Sequence, residues 1–124
     1  MTRYKSATVD EQPDSIVVHL DSGPARMRSV SVPVVVDIGR AGEVVGLEIL
    51  NLSSYVGTSA LDLLAEGRTH SIDERLSYSY DSECDAFYLR LRMADAPTQK
   101  AVQGVLELDI NSRIVGIRAH WELP

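Results

Sequence analysis

The sequence predicts an α+β fold: two repeated antiparallel β-meanders packed about a pseudo-two-fold axis, with one short helix bridging them. Two observations support this fold. A strand–turn–strand pattern over 34–50 is repeated over 106–118, and residues 59–67 between the copies have apolar side chains at helical spacing. Each copy holds about fifty residues, too few to bury enough surface alone, so the two copies are expected to share one core.

In the first copy, several segments alternate between apolar and polar residues, as strands do when one face is buried. Ala7 and Val9 face inward on a short first strand, whereas Pro33 has no N–H for a ladder and places the start of its strand at an edge or a bulge. Gly39 and Gly42 can take positive φ in the hairpin turn. The alternating segments are 15–20, 34–38 and 44–50, the last with Val45, Leu47 and Ile49 inward and Val44, Gly46 and Glu48 outward.

The bridging helix is predicted over 59–67. Ser59 suits the N-cap, Asp62 the N3 position and Gly67 the C′ position. A helix this short needs packing to form, so it should cover one open face of the sheet and lead through a polar linker at 68–75 to the second copy. Its apolar face consists of Leu61, Leu64 and Ala65.

The second copy begins near Leu76 and repeats the hairpin from Gly104, after a loop at 93–100 and with a turn shorter than in the first copy. The chain is therefore expected to form one compact domain over 1–124. Its parts are repeat one (1–56), the helix and linker (57–75) and repeat two (76–124), and the inward row of repeat two is Phe87, Leu89 and Leu91. Nearly equal spacing along the chain makes Asp37 equivalent to Asp109 and Gly46 equivalent to Gly116.

Several segments of the second copy carry a family resemblance. They are Tyr80-Asp81, 85–91, Gly104-Val105, Leu108-Asp109 and 114–117, and they resemble the small bacterial domain of unknown function numbered 2283. The first copy shows the same pattern through Asp10, Asp14, Asp37 and 45–50. Val9 stands where the opening tyrosine of the pattern is expected, and Arg118 stands where the family usually has glutamate. The resemblance implies two tandem copies of this domain and no established activity. The small toxin-like genes beside family members imply an antitoxin-like role.

Composition narrows the classes of partner. The chain has 124 residues, a net charge of −6 and a sequence pI of about 4.9. Because an acidic surface repels phosphate groups, nucleic acid is not expected as a partner, whereas a basic protein is expected. A single cysteine excludes an internal disulfide and suits a cytoplasmic protein. No apolar run is long enough for a membrane span. A monomer and a homodimer are both compatible with the sequence.

Asp37 and Asp109 are the candidate ligand or cation site. One interpretation is that the pseudo-two-fold axis brings the two carboxylates together, where they bind a cation or share a proton. The other is that each aspartate ends a strand and accepts hydrogen bonds from the N–H groups of the turn that follows.

Gly46 and Gly116 lie inside strands, where glycine usually marks a bulge or a close approach by a strand, a bulky side chain or a ligand. Tyr88 and Trp121 are the candidate partner-surface residues, since an exposed aromatic side chain at a sheet edge suits a protein interface. The opposing interpretation is that the helix or the other copy covers Tyr88.

No motif indicates catalysis. The acidic turn at 81–85 echoes the spacing of a calcium loop but has no glycine and no later glutamate, and Cys84 among these acids should be a poor nucleophile. The three histidines lack ligand spacing, so neither a metal nor a cofactor is expected. The leading hypothesis is a non-enzymatic interaction module that binds a partner through a sheet edge or an acidic face. The alternative is a small-molecule or cation-binding protein with its site at the pseudo-two-fold axis, and an enzyme ranks last.

Overall fold

The protein is nearly all β. The computed structural model describes residues 4, 6–20, 28–57, 60–61, 64 and 69–122. Its strands form one curled antiparallel sheet in the order β1-β2-β9-β8-β3-β4-β7-β6-β5, so the predicted α+β fold is wrong. The strands are β1 (Ala7–Gln12), β2 (Ser15–Leu20), β3 (Arg28–Ile38), β4 (Val44–Leu50), β5 (Thr69–Ser71), β6 (Ser77–Asp81), β7 (Ala86–Arg90), β8 (Thr98–Leu108) and β9 (Ile114–His120).

The described part of the chain contains no bridging helix. Its regular helical element is a 3₁₀ turn at Leu52–Ser54, and Ala60 and Leu61 add one helical turn whose N–H groups bond to the Gly57 carbonyl. Leu64 is buried, so the apolar spacing of this segment does reflect packing. The sheet curls over its own apolar face, and Leu52, Val56, Ala60 and Leu64 of the segment after β4 pack into the same core. Ser59, Asp62, Ala65 and Gly67 of the predicted helix lie outside the described residues.

The pair of β3 and β8 lies at the centre of the sheet. Both strands are 11 residues long, so their first residues, Arg28 and Thr98, are equivalent. The separation of these two residues along the chain is the repeat offset, which relates every residue of one copy's central strand to its equivalent in the other. Pro33 and Gln103 are equivalent by this offset and lie directly opposite each other. The pseudo-two-fold axis therefore passes between them and relates the two halves of one sheet. Pro33 is tolerated because the ladder with β4 begins only at Val35, which leaves an edge on that side.

The two copies exchange their first hairpins. The hairpin of β1 and β2 belongs to the first copy but pairs with β9 of the second, and the hairpin of β6 and β7 pairs with β4 of the first. Strand order is therefore symmetric about the β3–β8 pair, with β5 as one additional strand beside β6. Because each first hairpin finds its pairing partner in the other copy, neither copy can form this sheet alone.

A β-bulge in each copy bends the sheet. The register of β3 and β4 shifts between Asp37 and Ile38, which leaves Val45 as the additional residue on β4. The register of β8 and β9 shifts at the equivalent place, between Glu107 and Leu108. A bulge turns two neighbouring side chains to the same side, so Val44 is buried and its predicted outward orientation is wrong. The added twist helps the sheet to curl.

The bulges also correct the alignment of the copies. Gly46 lies opposite Asp37, and Gly116 lies opposite Glu107. The equivalent of Asp37 is therefore Glu107, not Asp109. The turns, 39–43 and 109–113, have the same length, so the second turn is not shorter than the first. An aspartate near the end of each hairpin's first strand had suggested the wrong offset.

Two other segments differ from the prediction. Strand β5 lies within the polar stretch expected to be a linker, and β8 begins at Thr98, inside the stretch expected to be a loop. Neither has a readable alternation, because β5 has only three residues and the first half of β8 is largely polar. Their strand conformation comes from pairing with β6 and β3 and not from local sequence.

Strand β1 and the segment just before it contact the strands that follow the two hairpin turns. The Glu11 carboxylate accepts a hydrogen bond from the Val44 N–H at 2.8 Å. Tyr4, which precedes β1, donates its hydroxyl hydrogen bond to the Ile114 carbonyl at 2.5 Å. The core is one continuous cluster with residues from both halves of the chain. Val45, the additional residue of the bulge, is buried but does not belong to this cluster. The predicted inward residues that do belong to it are Ile16, Val18, Leu20, Leu47, Ile49, Phe87, Leu89 and Leu91.

The inner face is asymmetric beside the axis. Val34 and Gly104 occupy equivalent positions by the repeat offset, yet only Val34 has a side chain there. A Cβ on Gly104 would lie 2.6 Å from the Val34 Cγ2 and 2.5 Å from the Arg118 carbonyl oxygen. The space next to the axis therefore accommodates one side chain and not two.

We expect Gly104→Ala to destabilise the protein by about 1–3 kcal/mol, because the new methyl group overlaps backbone that cannot move aside cheaply. Urea unfolding of wild type and variant measures the change. Gly57→Ala is the matched control, since among the described residues its Cβ would approach the Ser112 Cβ, at an ordinary contact distance of 3.9 Å. Equal stability of the Gly104→Ala and Gly57→Ala proteins would contradict the packing described for the axis.

Candidate functional site

A polar bridge on the outer face links the three strands β3, β4 and β7 and reaches β8. Tyr88 of β7 lies across β4 at Gly46, and its hydroxyl donates a hydrogen bond to Asp37 Oδ2 of β3 at 2.9 Å. Gln99 of β8 donates to the other oxygen of Asp37 at 2.8 Å. An added Cβ on Gly46 would overlap the Tyr88 hydroxyl and ring carbons, so glycine is required for this crossing. The close approach predicted for Gly46 is therefore that of a bulky side chain.

The environment of Tyr88 makes it a poor partner anchor. Burial and the hydrogen bond to the Asp37 carboxylate raise the pKa of Tyr88 to about 12. The Arg90 guanidinium lies 5.6 Å from the centre of the ring. Tyr88 is half-buried and its hydroxyl is engaged, so the exposed aromatic predicted at this position is not present.

Gly116 meets a different neighbour. Glu107, the residue opposite it, is buried, and its Oε1 would lie 2.7 Å from an added Cβ on Gly116. The residue equivalent to Tyr88 is Val17, which is too short to cross a strand. In the first copy, Tyr88 from β7 fills the space above Gly46. In the second copy, Glu107 fills the equivalent space above Gly116.

Asp37 and Asp109 do not meet. Asp37 lies opposite Gln99 near the first end of β8, whereas Asp109 follows the last residue of β8. The extended strand between these two positions is about 33 Å long. Asp109 Oδ1 accepts hydrogen bonds from the N–H groups of Asn111 and Arg113, which is the turn role considered for it. The described residues contain no cluster of three or more side chains able to hold a metal ion.

Trp121 is buried, with 5% of its surface exposed, so the prediction that it forms a partner surface is wrong. Its N–H donates to the Asp14 carbonyl at 2.8 Å, which extends the contact between β9 and the turn before β2. This bond holds the residue after β9 against the sheet, and its ring joins the shared core.

The acidic turn at 81–85 has a structural role. Asp85 accepts hydrogen bonds from the Tyr80 hydroxyl at 2.7 Å and from the Ser53 N–H at 3.0 Å. Burial opposes the charge of Asp85, but the hydrogen bonds from Ser53 and Tyr80 outweigh it and lower its pKa. The hydrogen bond to Asp81 and its negative charge raise the pKa of the Cys84 thiol, as predicted for a poor nucleophile.

A buried polar cluster lies where β6 meets the turn of the last hairpin. The Tyr78 ring packs edge-on against Tyr4, with centroids 5.2 Å apart, and stacks on His70 at 5.3 Å. The adjoining cavity has a volume of about 10 Å³, room for one water molecule. His70 Nε2 and Asp109 Oδ2 have no hydrogen-bond partner among the described residues. The cluster therefore has no room for a substrate.

The strongest candidate for function is the bare edge of β1. In the described part of the chain β1 pairs with β2 on one side and with no strand on the other. Val9 points toward the inner face but is 39% exposed, because no strand among the described residues lies beside it. Thr8 and Asp10 are exposed on the outer face of the same strand. The sequence predicted this strand but gave no indication that it is the edge.

The equivalent edge in the second copy is occupied. Strand β5 pairs antiparallel with β6, placing His70 opposite Tyr78. Ile117 and Leu47 are equivalent residues of the two copies. Val9 of β1 lies two strands across from Ile117, and Tyr78 of β6 lies two strands across from Leu47. Val9 therefore corresponds to Tyr78. The fold thus accommodates one additional strand beside this edge, and in the second copy the chain supplies that strand itself.

Comparison of the chain with models of known protein families, with curated proteins and with solved structures gave no significant match. The resemblance to the bacterial domain of unknown function therefore stays a prediction. Among the described residues, no helix is both long and apolar enough to cross a lipid bilayer.

We expect Gly46→Ala to destabilise the protein by about 1–3 kcal/mol, because the methyl group displaces Tyr88 and breaks its hydrogen bond to Asp37. In a Tyr88→Ala background the same change should cost less than about 1 kcal/mol, since nothing is left to displace. Urea unfolding of the four proteins gives this double-mutant cycle. Additive effects would show that Tyr88 does not occupy the space above Gly46.

Proposed function

We propose that the protein is a non-enzymatic interaction module that binds an extended segment of a basic partner protein along the free edge of β1. The observation that supports this most is the pairing of β5 with β6, the strand equivalent to β1. An edge that accepts a strand in one copy has the geometry to accept a strand in the other. Addition of a strand to a sheet edge is a common mode of peptide recognition.

The edge of β1 has features that suit an incoming strand. Strand β1 is six residues long, about the usual length of a strand. Its backbone groups on the side away from β2 have no strand partner in the described chain. A side chain facing inward from the added strand would cover Val9, as His70 stacks on Tyr78 in the second copy. Backbone hydrogen bonds would supply affinity, and the residue over Val9 would supply selectivity.

Charge at this edge favours a basic segment. Asp10 is exposed on β1, its Oδ1 bonded at 3.0 Å to the Gln12 amide. Glu11 is already engaged by the Val44 N–H and by Arg92, whose Nη2 lies 2.9 Å from Glu11 Oε1. The net charge of −6 adds a longer-range attraction for cations. Asp10 is therefore the carboxylate available to a lysine or arginine of the partner.

Two expectations from the sequence belong to the same proposal. An antitoxin-like role, implied by the family resemblance, is one case of an acidic module that binds a basic protein. A cytoplasmic location is the other expectation, and it determines the extract from which a partner should be sought.

We expect Val9→Lys and Asp10→Lys to abolish capture of a stoichiometric partner from native cytosol, because each places a positive charge at the edge where a basic strand would pair. Thr98→Lys, an exposed strand position away from β1, is the matched control and should capture as wild type does. Thermal unfolding of each variant separates loss of binding from loss of fold.

Hydrogen exchange on the captured complex locates the contact. The proposal expects the amides of 7–12 to exchange more slowly in the complex than in the free protein. Unaltered capture by both β1 variants, or slower exchange confined to other strands, would contradict the proposal.

A further inference from the structure

The outer face of β3 and β8 carries no charged side chain around the pseudo-two-fold axis, and we refer to this area as the uncharged middle. The six residues around the pseudo-two-fold axis on this face are exposed or half-buried, and none carries a charge. A partner could therefore cover them without removing an ion from water. They are Ser31, Pro33 and Val35 of β3 and Ala101, Gln103 and Val105 of β8.

Opposite charges flank this middle at equivalent positions. Glu48 lies opposite Val35, and Arg118 lies opposite Val105. The two pairs are related by the repeat offset of the central strands, so the pseudo-two-fold axis carries Glu48 onto Arg118. Perfect symmetry would put one charge at both positions, whereas this chain has a negative charge on one side of the axis and a positive charge on the other.

Both charges are available. Arg118 is exposed and Glu48 is partly exposed, and neither has an ion-pair or hydrogen-bond partner among the residues the structure describes. Arg118 lies between Val17 and Val105, which bound a shallow apolar depression around its stem. Tyr88 lies beside Glu48, with its hydroxyl already bonded to Asp37.

We infer that this face docks on a second copy of the chain. Glu48 and Arg118 lie three strand spacings and four residues apart, about 20 Å in the plane of the sheet. When two copies meet face to face, a two-fold axis lying in the interface, perpendicular to the line joining these residues, places Glu48 of each copy on Arg118 of the other. One operation forms both ion pairs, and such an isologous contact closes as a dimer.

The charge pattern selects this occupant over others. A basic partner would be repelled by Arg118 and an acidic one by Glu48, whereas a second copy presents both charges in the required arrangement. The inference is independent of the proposed function, since β1 lies beyond β2 and β9 in the sheet and stays uncovered in such a dimer.

The size of the contact indicates a dissociable dimer. The patch spans the four strands β9, β8, β3 and β4, and its length is that of β4 and β9. This gives an area of at most about 440 Å², because the outer face is the convex side of the curled sheet. A standard stable interface covers about 800 Å² per partner, so the dimer should form at micromolar or higher concentration. Its two ion pairs are exposed to solvent at the rim, so higher salt should weaken the dimer.

The test is sedimentation equilibrium of the full chain over a range of concentrations. Wild type is expected to show a monomer–dimer equilibrium. Glu48→Arg and Arg118→Glu each turn both ion pairs into like-charge contacts and should raise the Kd of the dimer about tenfold or more. The double variant Glu48→Arg/Arg118→Glu should dimerise as wild type does, because the exchange restores both pairs.

A mixture of the two single variants gives a second readout. One carries arginine and the other glutamate at both positions, so an equimolar mixture should form heterodimers while each protein alone stays monomeric. Arg40→Glu and Glu74→Arg, at exposed positions between strands, make the same charge changes outside the four strands of the patch and should not alter the equilibrium. A wild type that stays monomeric throughout, or single variants that dimerise as wild type does, would overturn the inference.

Discussion

The pairing of β3 with β8 is the constraint on which the rest of the structure depends. Each copy contributes one of these two strands, and their register puts Pro33 opposite Gln103 and thereby sets the pseudo-two-fold axis. Once this pair has formed, β4 and β9 extend it outward, and each then receives the first hairpin of the other copy. The strand pairings that complete the sheet join one copy to the other. The same pairings therefore stabilise the sheet and make its two halves symmetric.

Small departures from symmetry give the two faces their properties. On the inner face, Gly104 leaves room for Val34 beside the axis. On the outer face, Glu48 and Arg118 turn two equivalent positions into a pair of opposite charges. A third departure is β5, which covers the edge of β6, whereas no described strand covers the edge of β1. Each change concerns one position or one short strand, and each gives the sheet a feature that a symmetric sheet would not have.

Local sequence predicted the inward rows of the strands, because alternation along a strand reports burial directly. From the repeated hairpin it predicted two meanders packed about a pseudo-two-fold axis, whereas that axis lies within one sheet. It could not predict which strands pair across the copies, because the exchange of hairpins is set by long-range contacts. The bulge at Val45 shows the same limit, since an additional residue in β4 alters orientation without altering composition.

The candidate site was less predictable than the fold. Asp37 and Asp109 were paired by their spacing, whereas the register places Glu107 at the position equivalent to Asp37. Trp121 suggested an exposed surface, but the chain after β9 turns its ring into the core. The edge of β1 has no local signal, because an edge is defined by the absence of a neighbouring strand.

The most direct test of the fold is a set of cross-strand nuclear Overhauser effects between backbone protons. The exchange of hairpins predicts contacts of β2 with β9 and of β7 with β4, and contacts of β2 with β3 or β4 instead would contradict it.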